Sequence, residues 1–338
     1  MTKFVSCDRC KLSSLSVRLS IVLIVFAVLL LPTKSHAQNW TQKSTADSPS
    51  GRCFFTMAYD TSEGKVVLFA GLNGTGALDH TWVWNGSNWS RKDPANSPRA
   101  RIRASMAYDA GAGKVLLFGG GISNFSSLSD TWVWNGTDWK EEHPAKSPSA
   151  RSDAGMAYDA VGKVVLFGGA PPTVASSLLS DTWVWNGTDW KQEHPAKKPF
   201  ARFAPSMAYD AADGNVVLFG GATSTGVLSD TWVWNGTDWK QEHPANSPVA
   251  RYSSAMAYDA AQRHVVLFGG MDSAGGLLSD TWVWNGTDWT QEHPAKSPVA
   301  RFGGAMAYDA AQGEVVLFGG LDSSDITTGA LSDTWVWK

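Results

Sequence analysis

Four Glu-His pairs recur in the chain, at Glu142-His143, Glu193-His194, Glu242-His243 and Glu292-His293, in steps of 51, 49 and 50 residues. A carboxylate beside an imidazole has the residue types of general acid–base chemistry and of a metal half-site. The even spacing argues against both, because copies spread around one fold cannot converge on one ion or substrate. They read as structural or solvent-facing groups. Arginines recur on the same interval, as Arg52, Arg101, Arg151, Arg202, Arg251 and Arg301. A guanidinium there can grip a ligand carboxylate bidentately, or it can tie backbone carbonyls and a repeated aspartate.

The residues that follow each arginine break the pattern: Cys53-Phe54-Phe55, Ile102-Arg103, Ser152-Asp153, Phe203-Ala204, Tyr252-Ser253 and Phe302-Gly303. Arg103 and Asp153 hold one position in adjacent units and carry opposite charges. Phe203, Tyr252 and Phe302 offer aromatic contact area of the kind that dominates interface energies. Arg103, Asp153, Phe203, Tyr252 and Phe302, with the six arginines, are therefore the candidate ligand-binding residues. No catalytic residue, metal or cofactor is expected. Asp272, Asp322 and Asp325 lack the dense alternation of a calcium loop.

Composition narrows the partners. The 28 basic and 31 acidic residues give a formal net charge of −3, which supplies no broad basic surface for nucleic acid. Lys3, Arg9, Lys11 and Arg18 precede the apolar run Ile21–Leu31 and the small-residue sequence Ser35-His36-Ala37. That order describes a secretory signal peptide cut after Ala37. A bilayer span needs roughly 20 apolar residues, more than this run supplies. Residues 1–37 carry five bases and one acid, so the remaining 38–338 hold 23 basic and 30 acidic residues and a charge of −7. Cys7 and Cys10 leave with the leader, and Cys53 alone remains. A secreted or periplasmic monomer without an internal disulfide is expected, held by hydrophobic packing.

The elements that position these residues come from a repeat. "MAYD" begins at Met57, Met106, Met156, Met207, Met256 and Met306, at intervals of 49 to 51 residues, which marks a repeat architecture. Each unit reads as an arginine, "MAYD", a polar turn, "VVLFGG", a variable loop, "DTWVWNGTDW" and a closing "QEHPAKSP". "VVLF" is continuously apolar, as in a strand covered on both faces. "TWVW" alternates, with Trp132 and Trp134 on one face and Val133 on the other. Asn135-Gly136 suggests a tight hairpin in which both residues take positive φ, with "TDWK" returning. The same Asn-Gly-Thr/Ser sites at Asn85, Asn135, Asn186, Asn235 and Asn285 fit the glycosylation pattern, but hairpin turns explain them better. Four strands per unit of about 50 residues describe the blades of a β-propeller.

The unit resembles a kelch repeat, through the doublets Gly119-Gly120, Gly168-Gly169, Gly220-Gly221, Gly269-Gly270 and Gly319-Gly320 and the later Trp89, Trp139, Trp190, Trp239 and Trp289. The first unit departs with Ala70-Gly71. The resemblance covers nearly all of Asn39–Lys338 and implies an all-β, six-bladed propeller whose first strands line a central channel. It also implies ligand binding at the face bearing the loops between second and third strands and between blades. The last unit stops at Trp337-Lys338, while "NWTQKSTADSP" near the start matches "DWTQEHPAKSP" at Asp288–Pro298. The N-terminal strand should complete the last blade and close residues 38–338 into one domain, hiding edges that invite aggregation. All 18 tryptophans fall on repeat positions, so they are assigned to scaffolding rather than to sugar stacking.

Two functions follow from the resemblance. The leading one is a non-catalytic binding module for a protein or carbohydrate ligand. The contact surface would be the variable loops Leu72–His80, Gly121–Ser129, Ala170–Ser180, Ala222–Ser229, Met271–Ser279 and Leu321–Ser332. The alternative is a carbohydrate-active enzyme, a sugar isomerase or oxidase. Copper oxidases of this type need converging Tyr and His ligands. Here Tyr252 is the one tyrosine outside "MAYD". His80, in a variable loop, and His264, in the turn between first and second strands, should lie on opposite faces. A non-metal sugar site could use Arg103, Asp153 and Tyr252.

Overall fold

The computed structural model describes residues 38–338 apart from 124–125, 160–161 and 173–177. The expected signal peptide and its cleavage after Ala37 lie outside the described residues, as do parts of the second and third variable loops. Six four-stranded antiparallel sheets form the blades of a β-propeller. In blade 1 the strands are Thr56–Asp60, Lys65–Phe69, Thr81–Trp84 and Trp89–Lys92, each paired with the next. Each first strand packs on the first strand of the next blade, and Thr56–Asp60 packs on Ala305–Asp309 of blade 6, so the ring is complete.

The second strand is the core of each blade. Val66, Val67, Leu68 and Phe69 are all buried. Val66 and Leu68 pack with Trp84 and Trp89 against Val316, Phe318 and Val336 of blade 6. Val67 and Phe69 face the other way, onto Val115, Leu117, Trp134 and Trp139 of blade 2. Strand alternation thus gives each blade one apolar face for each neighbour, which is why "VVLF" carries no polar position. Trp132 and Trp134 lie on one face and Val133 on the other, joining different inter-blade clusters.

Twelve of the tryptophans are fully buried. Six of these sit in the outer strands and bridge to a threonine of the preceding blade. Trp139 Nε1 donates to Thr81 Oγ1 at 2.9 Å, and the same bond joins Trp89 to Thr334, Trp190 to Thr131, Trp239 to Thr182, Trp289 to Thr231 and Trp40 to Thr281. The tryptophan fills the wedge between twisted sheets and satisfies its one polar atom there. The remaining six, of the Trp132 type, are partly or nearly buried at the start of each third strand.

Ring closure uses Trp40–Lys43 as the outer strand of blade 6. It pairs antiparallel with Thr334–Trp337, with Trp40 opposite Trp337 and Lys43 opposite Thr334. Outside the ladder, Asn39 N–H donates to the Lys338 carbonyl at 3.1 Å.

Two local expectations are corrected. The Asn-Gly hairpin is not a two-residue turn: Trp134 pairs with Trp139, leaving a four-residue loop in which Gly136 takes positive φ and Asn135 does not. Asn135 Oδ1 instead accepts from the Thr137 and Asp138 amides and from Thr137 Oγ1, an Asx turn that widens the loop. The returning strand accordingly starts at Trp139. One helical turn, Ile326–Gly329, also interrupts the last variable loop, capped by Asp325.

His264 is the first residue of a second strand, His264–Phe268, rather than part of the preceding turn. Burial pushes its imidazole down to about 4, even with Asp259 Oδ2 4.0 Å away. The ordinary value is about 6.5. The folded state therefore resists protonation: the stability is full above pH 6.5 and is lost as pH falls from there towards 4. Blade 4 places Asn215 at the same register opposite Asp210, so His264→Asn is compatible with the backbone. Denaturation curves of parent and variant should diverge by roughly 3 kcal/mol between neutral pH and pH 4. Parallel curves would show that His264 does not resist protonation.

Candidate ligand-binding site at the channel mouth

Six residues, one per blade, form a closed backbone ring at the start of the first strands. Each amide donates to the carbonyl of the equivalent residue one blade back: Phe54 to Gly303 (2.7 Å), Arg103 to Phe54 (2.7 Å), Asp153 to Arg103 (2.9 Å), Ala204 to Asp153 (2.8 Å), Ser253 to Ala204 (3.1 Å) and Gly303 to Ser253 (2.9 Å). All six take positive φ, from 48° at Ala204 to 66° at Gly303. Non-glycine residues in this region are uncommon and strained. The ring of hydrogen bonds over-determines the conformation and holds it.

The residue before each girdle position is bridged to its own blade's variable loop, as in Cys53 with Leu72, Phe203 with Ala222, Tyr252 with Met271 and Phe302 with Leu321. Loops and mouth are therefore one connected surface. What differs around it is the side chains. Arg103 Nη1 lies 3.4 Å from Asp153 Oδ2, with 39% of the arginine side chain exposed and 8% of the aspartate. The Arg103 guanidinium also stacks on Phe54, 4.4 Å from the ring centroid. Phe54 meets Phe302 edge-on at 5.6 Å, and Phe203 meets Tyr252 at 5.8 Å. Burial pushes the Asp153 carboxyl up, against the opposing pull of Arg103 and Ser152. Buried Arg103 Nε has no hydrogen-bond partner among the described residues.

Across the mouth the girdle carries Ala204, Ser253 and Gly303. Between the bulky half and this small half lies a cavity of about 120 Å³. Below it, a second space of about 170 Å³ is lined by all six "MAYD" methionines. Sites for drug-sized ligands run to about 300–1,000 Å³, so the mouth accepts a protruding group rather than engulfing a ligand.

The six repeated arginines lie elsewhere. They are 0–2% exposed and cross-link the blades. Arg101, for example, takes Asp130 bidentately at 2.8 Å and reaches the Gly119 carbonyl within its own blade. Its backbone amide and carbonyl bond to Leu78 and Gly71 of blade 1. Arg151, Arg202, Arg251 and Arg301 hold Asp181, Asp230, Asp280 and Asp333 in the same way. Burial pushes the Asp181, Asp280 and Asp333 carboxyls up, but the arginine hydrogen bonds and charge prevail and hold them low. The double glycine after each second strand follows from this packing. Gly119 and Gly120 have φ of 62° and 97°, and a Cβ on Gly119 would stand 2.7 Å from the Arg151 carbonyl.

The Glu-His pairs and Cys53 do not join the mouth. The Glu-His pairs sit at the ends of the outer strands, where His143 is exposed and Glu142 engages Lys140 at 2.9 Å. Cys53 is buried, its Sγ is 3.7 Å from the Leu72 carbonyl, and burial pushes its thiol up to about 12, which leaves it unreactive. The Tyr252 hydroxyl is taken by Met271 Sδ at 2.9 Å. Among the described residues, no three His, Cys, Asp or Glu side chains converge as metal ligands would, and no helix is long and apolar enough to cross a membrane. Sequence reasoning singled out Arg103, Asp153, Phe203, Tyr252 and Phe302 and noted Phe54 as a break in the repeat, but did not foresee the girdle or the stacking of Arg103 on Phe54. The one available signal was that the repeat fails at these positions. No protein-family model matches the chain, and no curated protein does.

Proposed function

We propose that the protein is a secreted, non-catalytic binding module of kelch-propeller type, taking a protein or carbohydrate ligand at the channel mouth and its surrounding loops. One observation carries this reading. The positions identical in every blade are spent on inter-blade packing, whereas the positions that differ are gathered around one small open cavity. A specific ligand needs an asymmetric surface, and this mouth supplies one, with cation, carboxylate and aromatic edges on one side and small residues on the other. Export follows from the leader-like N-terminus.

A glycan and peptide binding screen on the chain tests the proposal. Tyr252→Ala and Arg103→Ala should each weaken a selected ligand by about tenfold or more. Alanine already occupies the girdle at Ala204 with φ of 48°, so the backbone tolerates the second change. A ligand whose affinity ignores both substitutions would place binding elsewhere. Turnover of a sugar abolished by the same substitutions would replace this reading with the isomerase or oxidase alternative.

A further inference from the structure

Five blades neutralise their buried arginine with an aspartate, and blade 1 does not. The residue before Thr81 is His80, where the other blades have Asp130, Asp181, Asp230, Asp280 and Asp333. Arg52 is 0% exposed and, among the described residues, keeps only the Ala70 carbonyl and the Ser50 carbonyl and hydroxyl. The second partner of the missing carboxylate is orphaned too. In the five paired blades the first tryptophan of the third strand donates Nε1 to that aspartate at 2.7–2.8 Å, but Trp82 Nε1 is buried without a partner among the described residues. His80 replaces neither bond. Its Nε2 lies 3.8 Å from Asp79, and burial, with Arg91 and Arg52, holds its imidazole below the ordinary range.

A second substitution points the same way. The residue opposite Trp82 on the outer strand is Arg91. The equivalent residues are Glu141, Gln192, Gln241, Gln291 and Gln42. Blade 1 has thus lost the inward acid and gained a base around one spot, while Asp79, where the other blades carry serine, is 58% exposed and turned to solvent beside His80. Arg91 has Asp93 at 3.3 Å, but both are largely exposed. The spot is reachable from solvent, because the aspartate side chains that fill it in the other blades are 16–21% exposed.

We propose that blade 1 carries a carboxylate-binding site, in which an acetate-sized anion takes the place of the missing aspartate. It accepts bidentately from Arg52 and a third bond from Trp82 Nε1, with Arg91 at the rim. The group is either a free small carboxylate or the side chain of an acidic residue. The site stands apart from the girdle and does not depend on how the mouth is used.

The test titrates the full chain with sodium acetate against sodium chloride at equal ionic strength, following the melting temperature and the indole Nε1–H resonance assigned by Trp82→Phe. A ligand that binds only the folded state raises the melting temperature saturably. Acetate should do so and should move the Trp82 resonance. His80→Asp, which restores the aspartate of the other blades, should melt higher without acetate and lose the acetate response. Arg91→Gln should fold as the parent does and bind acetate several-fold more weakly. A parallel titration with N-acetyl-aspartate amide distinguishes the sources. Binding at least as tight as acetate indicates a carboxylate borne on a chain, and binding by acetate alone indicates a free anion. Equal effects of acetate and chloride on the parent, or an undiminished acetate response in His80→Asp, would overturn the proposal.

Discussion

Trp139→Ala should lower the unfolding free energy by about 3–5 kcal/mol, the range for truncating a buried aromatic in a core that cannot collapse around the gap. The side chain is buried between blades 1 and 2, 5.0 Å from Phe69 and 5.4 Å from Trp134, and its indole holds Thr81. Removing it leaves both sheet faces without their wedge and the Thr81 hydroxyl without its donor. Trp139→Phe should fall between the two, since most apolar area stays while the hydrogen bond goes. Chemical denaturation reads the difference as a lower midpoint. A midpoint unchanged in Trp139→Ala, with loss of binding to a sugar, would make these rings stacking platforms and end the scaffolding assignment.

Removing residues 38–49 should be more damaging still. It deletes the Trp40–Lys43 strand, so Thr334–Trp337 becomes a free edge, and Trp337, Val266 and Phe268 lose the indole that covers them. The loss of Trp40 alone is worth about 3–5 kcal/mol, and the exposed edge recruits other chains. Lower melting temperature and concentration-dependent aggregation on size-exclusion chromatography are the expected results. A truncated chain that stays monodisperse and melts with the parent would refute closure by this strand.

Most of the architecture was legible because it is written six times. The period, the apolar second strand, the alternating "TWVW" and the match between the two chain ends give the blades, their facing and their closure. The girdle was not legible, because nothing local asks Phe54, Arg103 or Asp153 to take positive φ. Only hydrogen bonds to neighbouring blades require it, and these span about 50 residues of sequence or join the two ends. The arginine partners were legible only as alternatives. Their aspartates lie 28 to 32 residues downstream, across loops of varying length. His80 shows the same dependence: its departure from the repeat acquires meaning once the other five blades reveal what stands in its place. At Asn135, side-chain capping of the loop outcompeted the tight turn that Asn-Gly alone suggests.

Under the proposed function, the girdle also bears on how the mouth can change its preferences. Its amides are all consumed by the neighbouring carbonyls, so an incoming molecule finds no free backbone N–H along that circle and is told apart chiefly by side chains. Those side chains sit on a frame that already tolerates phenylalanine, arginine, aspartate, alanine, serine and glycine at equivalent places. Single substitutions there exchange one chemical handle for another while the hydrogen-bonded circle persists. Under the proposed function, the mouth is thus a six-place keyboard on which side chains can be exchanged while the propeller stays folded.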